Sequence, residues 1–189
     1  MLKTILRYLA GFLVLGLLWH AGSVLLGEEL LPRPVATTAL FLERLATAEF
    51  WGHIGISFAR LLAGLFVALA TALPLGLLMG HWRLFDGATS PLLFITYPIP
   101  KIVLLPVFFT LVGLGDASRV LLIALTVGYQ MLVILRATAQ ALDPSYLQAF
   151  LSMGGTKREA VRHVYLPALL PSLFTSLKVA SGTAMAVLF

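Results

Sequence analysis

Residues 61–82 read LLAGLFVALATALPLGLLMGHW, an apolar run without one Asp, Glu, Lys or Arg, fenced by Arg60 and Arg83. A helix rises about 1.5 Å per residue and the hydrocarbon core of a bilayer is about 30 Å thick, so roughly 20 such residues cross it. The run therefore reads as a membrane-spanning helix. Gly64, Gly76 and Gly80 within it are small residues that let membrane helices approach closely. Pro74 is expected to free a backbone carbonyl and kink the helix, which a membrane bundle tolerates when a neighbour or water re-satisfies that group.

Upstream, Lys3 and Arg7 precede an uncharged stretch from Tyr8 to Gly27, read as a first span with its positive end in the cytoplasm. A cleaved signal peptide is the alternative, but the apolar region is long for one and Trp19 sits badly where a small residue should precede Ala21. From Glu28 to Phe50, Glu28, Glu29, Glu43 and Glu49 outnumber Arg33 and Arg44, and Pro32 and Pro34 break any continuing helix. This segment reads as an external loop with room for a short surface helix.

Downstream, Gly87 to Gly115 is long enough to cross but holds Pro91, Pro98, Pro100 and Pro106, with Lys101 near its middle, so a broken or bent third span is expected. Gly113, Gly115 and Asp116 make an outer turn, and Val120 to Leu135 is a fourth span closed by Arg136 at the inner face. A fifth apolar run extends from Leu166 to Phe189, interrupted only by Lys178. The fold class is thus all-α, a polytopic transmembrane helix bundle of about five spans.

Composition agrees. Hydrophobic residues make up 60% of the 189 positions, charged residues 11%, and the mean hydropathy is +0.99, which excludes a soluble domain. The net charge of +5 does not point to nucleic acid, because no basic run is interleaved with aromatics. Sidedness accounts for it. The path above puts Lys3, Arg7, Arg83, Arg136, Lys157, Arg158 and Arg162 inside, against Arg33, Arg44, Arg60 and Arg119 outside. With no cysteine there is neither a disulfide framework nor a thiolate metal site. His20, His53, His81 and His163 are scattered, and no phosphate-binding glycine loop or serine elbow occurs, so no metal, cofactor or catalytic residue is expected.

The inner segment from Asp143 carries two sets of helix signals. Asp143 is a cap with Pro144 at the first helical position, the helix runs from Ser145 to Met153, and Gly154 and Gly155 supply a left-handed stop. Thr156 caps a second helix, Glu159 completes a capping box, and Pro167 marks its end. Tyr146, Phe150 and Met153 line one face of the first helix, and Lys157, Arg158, Arg162 and His163 make the second basic. Two capped helices joined by a glycine turn form a compact knob suited to docking. The plainer reading is an ordinary inner loop whose charges set topology.

The order Gln148, Ala149, Phe150, then Gly154, Val164, Leu166 and Pro167 resembles the cytoplasmic signature of binding-protein-dependent ABC importer permeases, Glu-Ala-Ala, Gly, Ile, Leu-Pro, with every spacing matched. Gln148 stands where glutamate is usual and Phe150 where the second alanine is usual, which weakens charge-based contacts without breaking the register. The run Tyr97, Pro98, Ile99, Pro100, Lys101, Ile102, Val103, Leu104, Leu105, Pro106 resembles the branch handling nitrate, sulfonates and taurine, so the likeness extends from about Ser57 to Phe189.

The resemblance implies a type I importer permease fold, with residues 1–56 as an N-terminal membrane helix and external loop and residues 57–189 as the permease core around coupling loop 143–167. Permeases of this branch usually carry one more span, so the core is expected to be C-terminally incomplete. The knob would be the coupling helix, seated in a cleft of the ATPase. Gln148, Ala149, Phe150, Gly154, Thr156, Lys157, Arg158, Val164, Leu166 and Pro167 would be the coupling residues. The implied partners are cytoplasmic ABC ATPase subunits, a second permease copy in a homodimer, a periplasmic or lipid-anchored solute-binding protein, and membrane lipid. The implied location is a bacterial inner membrane, multi-pass, with the N-terminus cytoplasmic. The function would be import of a small solute, expected to be anionic, with ATP hydrolysis on a separate polypeptide. An ATPase-independent channel or secondary carrier is the alternative.

An ammonium at membrane depth costs several kcal/mol unless it faces water, a partner or a counter-charge, which singles out Lys101 and Lys178. Lys101, after the Pro98 and Pro100 break, either lines the translocation path and favours anions or pairs within the bundle. Lys178 is a path or packing residue.

Overall fold

The computed structural model describes residues 2–188, and among them every regular element is helical. Met1 and Phe189, which bound the domains and the last run read from the sequence, lie outside the described residues. The chain divides into two compact units between Gly55 and Ile56.

The first unit holds α1 (Leu2–Leu26), α2 (Pro34–Leu45) and the start of α3 (Ala48–His81). Past Lys3 and Arg7 in its first turns, helix α1 is apolar on most of its surface and buries little of itself: Phe12 is 74% and Leu25 84% exposed, the surface of a helix that meets lipid. Gly27, at φ +87°, ends it in a left-handed turn, and its carbonyl accepts from the Leu30 and Leu31 N–H groups. The Trp19 indole N–H donates to the Pro32 carbonyl at 3.0 Å, pinning the returning chain. Pro34, at the first position of α2, starts the surface helix for which the loop had room. The external loop ends sooner than the sequence suggests, because α3 already begins at Ala48. Aromatic contacts favour that early start: Phe50 meets Phe41 edge-on, and the Trp51 indole donates to the Leu45 carbonyl at 2.9 Å.

The second unit contains the rest of α3, α4 (Arg83–Thr96), a 3₁₀ turn (Lys101–Leu104), α5 (Leu105–Val112), α6 (Asp116–Gln140), α7 (Pro144–Ser152), α8 (Lys157–Ala160), a π turn (Val161–Tyr165) and α9 (Leu166–Leu188). Its core is a set of stripes at helical spacing: Leu61, Ala68, Ala72 and Met79 on α3, Ile123, Val127, Met131 and Leu135 on α6, Leu169, Leu173, Ala180 and Ala184 on α9. Lipid tails are as apolar as leucine, so close backbone approach rather than exclusion from water holds such helices together. The α3 glycines provide it. A Cβ at Gly64 would lie 2.5 Å from Ile123 Cγ2, one at Gly76 would lie 2.8 Å from Leu135 Cβ, and one at Gly80 would overlap Ala139.

Helix α3 runs through Pro74 without ending there. Of the four prolines in the third segment only Pro98 and Pro100 stand in the break. Pro91 lies inside α4, and Pro106 occupies the first turn of α5, where its missing N–H leaves no intrahelical bond unmade. Arg83–Thr96 and Lys101–Val112 form a bent pair at 92°, so the third segment is broken, as expected, with the geometry of either a broken span or a re-entrant loop. Among the described residues four helices are long and apolar enough to cross a membrane, or five if the bent pair counts as one span, and the all-α polytopic fold is the one anticipated.

Candidate functional site: a capped knob and a bent helix pair

Asp143 opens the knob. Its carboxylate accepts from the Ser145 backbone N–H at 2.8 Å, and that bond holds the carboxyl below the usual carboxylate range. Pro144 fills the first helical position, and α7 closes on Gly154, whose N–H donates to the Leu151 carbonyl at 3.0 Å. The two glycines do different jobs. Gly154, at φ +90°, supplies the left-handed residue, whereas Gly155 supplies space, because a Cβ there would overlap the Phe150 ring. Phe150 also stacks on the His163 imidazole, centroids 6.0 Å apart and planes within 17°, so the signature position occupied by phenylalanine braces the turn.

Thr156 forms the capping box: the Glu159 N–H donates to Thr156 Oγ1 at 3.3 Å, and the Thr156 N–H donates to Glu159 Oε2 at 2.9 Å. The expectation that Pro167 ends this second helix is not met. Lys157–Leu188 is one continuous helix of 32 residues, with Pro167 in the first turn of α9 just after the π turn. A proline ring strikes the carbonyl four residues back, and a turn widened by one residue is how a helix takes up that conflict without stopping. The knob is therefore one short separate helix plus the leading end of the last long one.

Of the residues read as coupling positions, Gln148, Ala149, Gly154, Thr156, Lys157, Arg158 and Pro167 are exposed, and Phe150, Val164 and Leu166 are half-buried. The apolar stripe of α7 does not lie on a core. Tyr146, Phe150 and Met153 line a groove of about 560 Å³ closed by His163, Val164 and Ala168 from the helix behind.

The bent pair has its own chemistry. Lys101 is buried, 9% exposed, and its Nζ donates to the carbonyls of Thr96 (2.5 Å), Tyr97 (3.2 Å) and Ile99 (2.9 Å) while sitting 4.3 Å from the Tyr129 ring centroid. An ammonium has three donors, and here three carbonyls meet them. Those carbonyls belong to the end of α4 and the break, where intrahelical partners run out. At the other end of α4, Arg136 of α6 donates through Nε and an Nη to the two carboxylate oxygens of Asp86 at 2.5 and 2.7 Å. The Arg136 guanidinium also lies 5.3 Å from the Phe94 ring centroid. The sequence reading missed Asp86, Thr96 and Tyr129, since nothing local marks their partners. Lys178 is exposed on α9, clear of the face that packs into the core, and the structure does not bring it to Lys101. Among the described residues no cluster of metal-binding side chains occurs.

Known proteins share similarity with this chain. The chain is 27% identical to the taurine transport system permease protein of Escherichia coli over 75% of its own length and 51% of the relative's. It is 28% identical to the formylaminopyrimidine transport permease protein of Halalkalibacterium halodurans over 92% of its length and 70% of the relative's. It is 27% identical to the riboflavin transport system permease protein of Chloroflexus aurantiacus, covering 89% and 63%. The chain thus spans about half the length of the taurine relative it matches. No solved structure matches. The model of the binding-protein-dependent transport system inner membrane component matches residues 72–187, from the middle of α3 across the bent pair and the knob to the end of α9. The chain belongs to that family of inner membrane transport components.

Proposed function

We propose that this chain is the path-forming permease subunit of an ATP-driven importer, working as a homodimer with a cytoplasmic ABC ATPase and an external solute-binding protein, its N-terminus in the cytoplasm. The observation that supports the reading is the knob. Both of its helix starts are capped, its turn is fixed by Gly154 and by Phe150 packed on Gly155, and an apolar groove is left open beside it. A rigid protrusion with an open groove suits a partner that pushes. The coupling residues are Gln148, Ala149, Phe150, Gly154, Thr156, Lys157, Arg158, Val164, Leu166 and Pro167. The mechanism is mechanical: closure of the ATPase pair shifts the knob, and the membrane helices re-open the path on the other side. No side chain of the permease reacts with solute.

The path is assigned to the bend at Pro98 and Pro100, with Lys101 and Lys178 as its fixed positive charges, and the solute to the small anionic class. The donors of Lys101 are taken by carbonyls, so it favours an anion through its field rather than through a hydrogen bond. The relatives' names include taurine, aliphatic sulfonates, formylaminopyrimidine and riboflavin, and the taurine and sulfonate relatives support the assigned class.

The test begins with purification from native membranes. A cytoplasmic ATPase is expected to co-purify, and Gly154→Leu is expected to leave ATP hydrolysis running while uptake is lost. Full coupling in that variant overturns the reading, and solute flux with no ATPase present moves the chain to the channel or carrier class. A single cysteine placed at Ser145, in a chain that has none of its own, is expected to react with an impermeant maleimide only after the membrane is opened.

A further inference from the structure

Helix α4, with 14 residues, is too short to cross a bilayer by itself, so the carbonyls at the break that ends it need partners within the bundle. The partners at both ends come from a single face of α6. Tyr129 and Arg136 are seven residues apart, two turns of helix, and so stand one above the other. Arg136 takes Asp86 in the first turn of α4, with the two side chains only 16% and 17% exposed. At the far end the Tyr129 hydroxyl lies 3.0 Å from Thr96 Oγ1, and the Tyr129 ring faces the Lys101 ammonium that closes the last carbonyls of α4. The pairing runs antiparallel, with the start of α4 on the late part of α6 and the end of α4 on its middle.

We propose that α4 and the second half of α6 form one strapped body, with Asp86–Arg136 and Lys101–Tyr129 as its two fastenings, and that Lys101 and Arg136 are positioning residues for the bend. Both fastenings match the charge of the helix end they hold. The anionic Asp86 sits in the first turn, and the cationic Lys101 sits beyond the last, which is where the aligned peptide dipoles favour each sign. Lys101 also resolves two separate problems at once, an ammonium away from water and the carbonyls of the break, of which Thr96 alone also accepts from a backbone N–H, that of Ile99. Because α6 ends at Gln140, three residues before the Asp143 cap, a displacement of the knob reaches the Pro98–Pro100 bend through this body. That last step rests on the knob being the coupling surface. The strap itself does not.

The experiment uses the full chain in membranes, with nitroxide labels on Leu92→Cys in α4 and Leu111→Cys in α5 to read the width of the bend. The distance distribution is expected to be narrow in the parent and in Lys101→Arg, and broad in Lys101→Met, which keeps the length but not the charge. If Lys101→Met does not accumulate, Tyr129→Leu carries the test and is expected to broaden the same distance. An unchanged distribution in either variant overturns the proposal. At the other fastening, Arg136→Asp is expected to broaden the bend and the double variant Asp86→Arg with Arg136→Asp to narrow it again; failure of that rescue counts against the strap. Where an ATPase co-purifies, Lys101→Met is expected to lower maximal uptake about tenfold with ATPase binding retained, and Lys101→Arg to restore it. If the distances respond as stated but no ATPase binds, the strap stands and the importer reading falls.

Discussion

The knob and the bent pair are both places where the helical chain is interrupted by proline or glycine, yet they are held in place in different ways. In the knob the partners are neighbours: Asp143 serves Ser145, Thr156 and Glu159 serve each other, and Gly154 closes on Leu151. In the bend the backbone carbonyls of Thr96, Tyr97 and Ile99 are also served locally, by Lys101, but the side chains that fasten the pair to the bundle have remote partners. Asp86 waits for Arg136 fifty residues on, and Thr96 meets Tyr129 at a separation of 33. A part built from neighbours keeps its shape when its surroundings shift, which suits a surface that docks and undocks. A part built from remote partners keeps its shape only while the helices around it hold station, which suits a segment that must follow them.

That contrast can be broken or sharpened by substitution. The largest effect is expected from Arg136→Ala, which leaves the Asp86 carboxylate largely buried without its partner and is expected to cost about 2–4 kcal/mol of bundle stability. Unfolding of the purified chain in mixed micelles measures it, and the change should spread to α4 rather than stay near residue 136. Gly155→Ala is expected to cost about 1–3 kcal/mol, because its Cβ overlaps the Phe150 ring, and Phe150→Leu is expected to recover part of that loss in the double variant. Here the loss should stay inside the knob, read as faster hydrogen exchange in α7 alone. Gly154→Ala is expected to cost about 1–2 kcal/mol through its left-handed backbone, with Gly154→Asn milder, in the same exchange measurement.

The smallest effect is a pH dependence. The folded-state pKa of Asp143 is lowered by the Ser145 N–H, so the cap contributes fully above the ordinary carboxylate pKa of 3.8 and is lost as pH falls through the lower folded value. Exchange at Ser145 is expected to quicken only in that acid window, and Asp143→Asn should remove the pH dependence while keeping a cap.

The same contrast explains which parts of the molecule are legible in sequence. The run at 61–82, the break at Pro98 and Pro100, the Asp143 cap and the Thr156 capping box are written in residues a few positions apart, and each reappears in the fold. The early start of α3 at Ala48 is not legible, since it depends on Trp51 and Phe50 finding Leu45 and Phe41 across a turn. Nor is the passage of the last helix through Pro167, because the π turn that admits it has no local signature. Lys101 is the instructive case. Its presence at membrane depth is plain, but its acceptors exist only once the chain has broken around it.

The unbroken passage from Lys157 to Leu188 has a mechanical corollary. At about 1.5 Å per residue those 32 residues make a bar roughly 48 Å long, and a tilt of about 10° at one end swings the other through some 8 Å. Its stiffness is interrupted by the widened turn at Val161–Tyr165, a fifth of the way along, and by Pro171 about two turns further on, which removes one intrahelical hydrogen bond. If the knob is the coupling surface, it and the final span are the short and long arms of one lever, and both points of give, the widened turn and Pro171, lie in the half nearer the end where force would be applied.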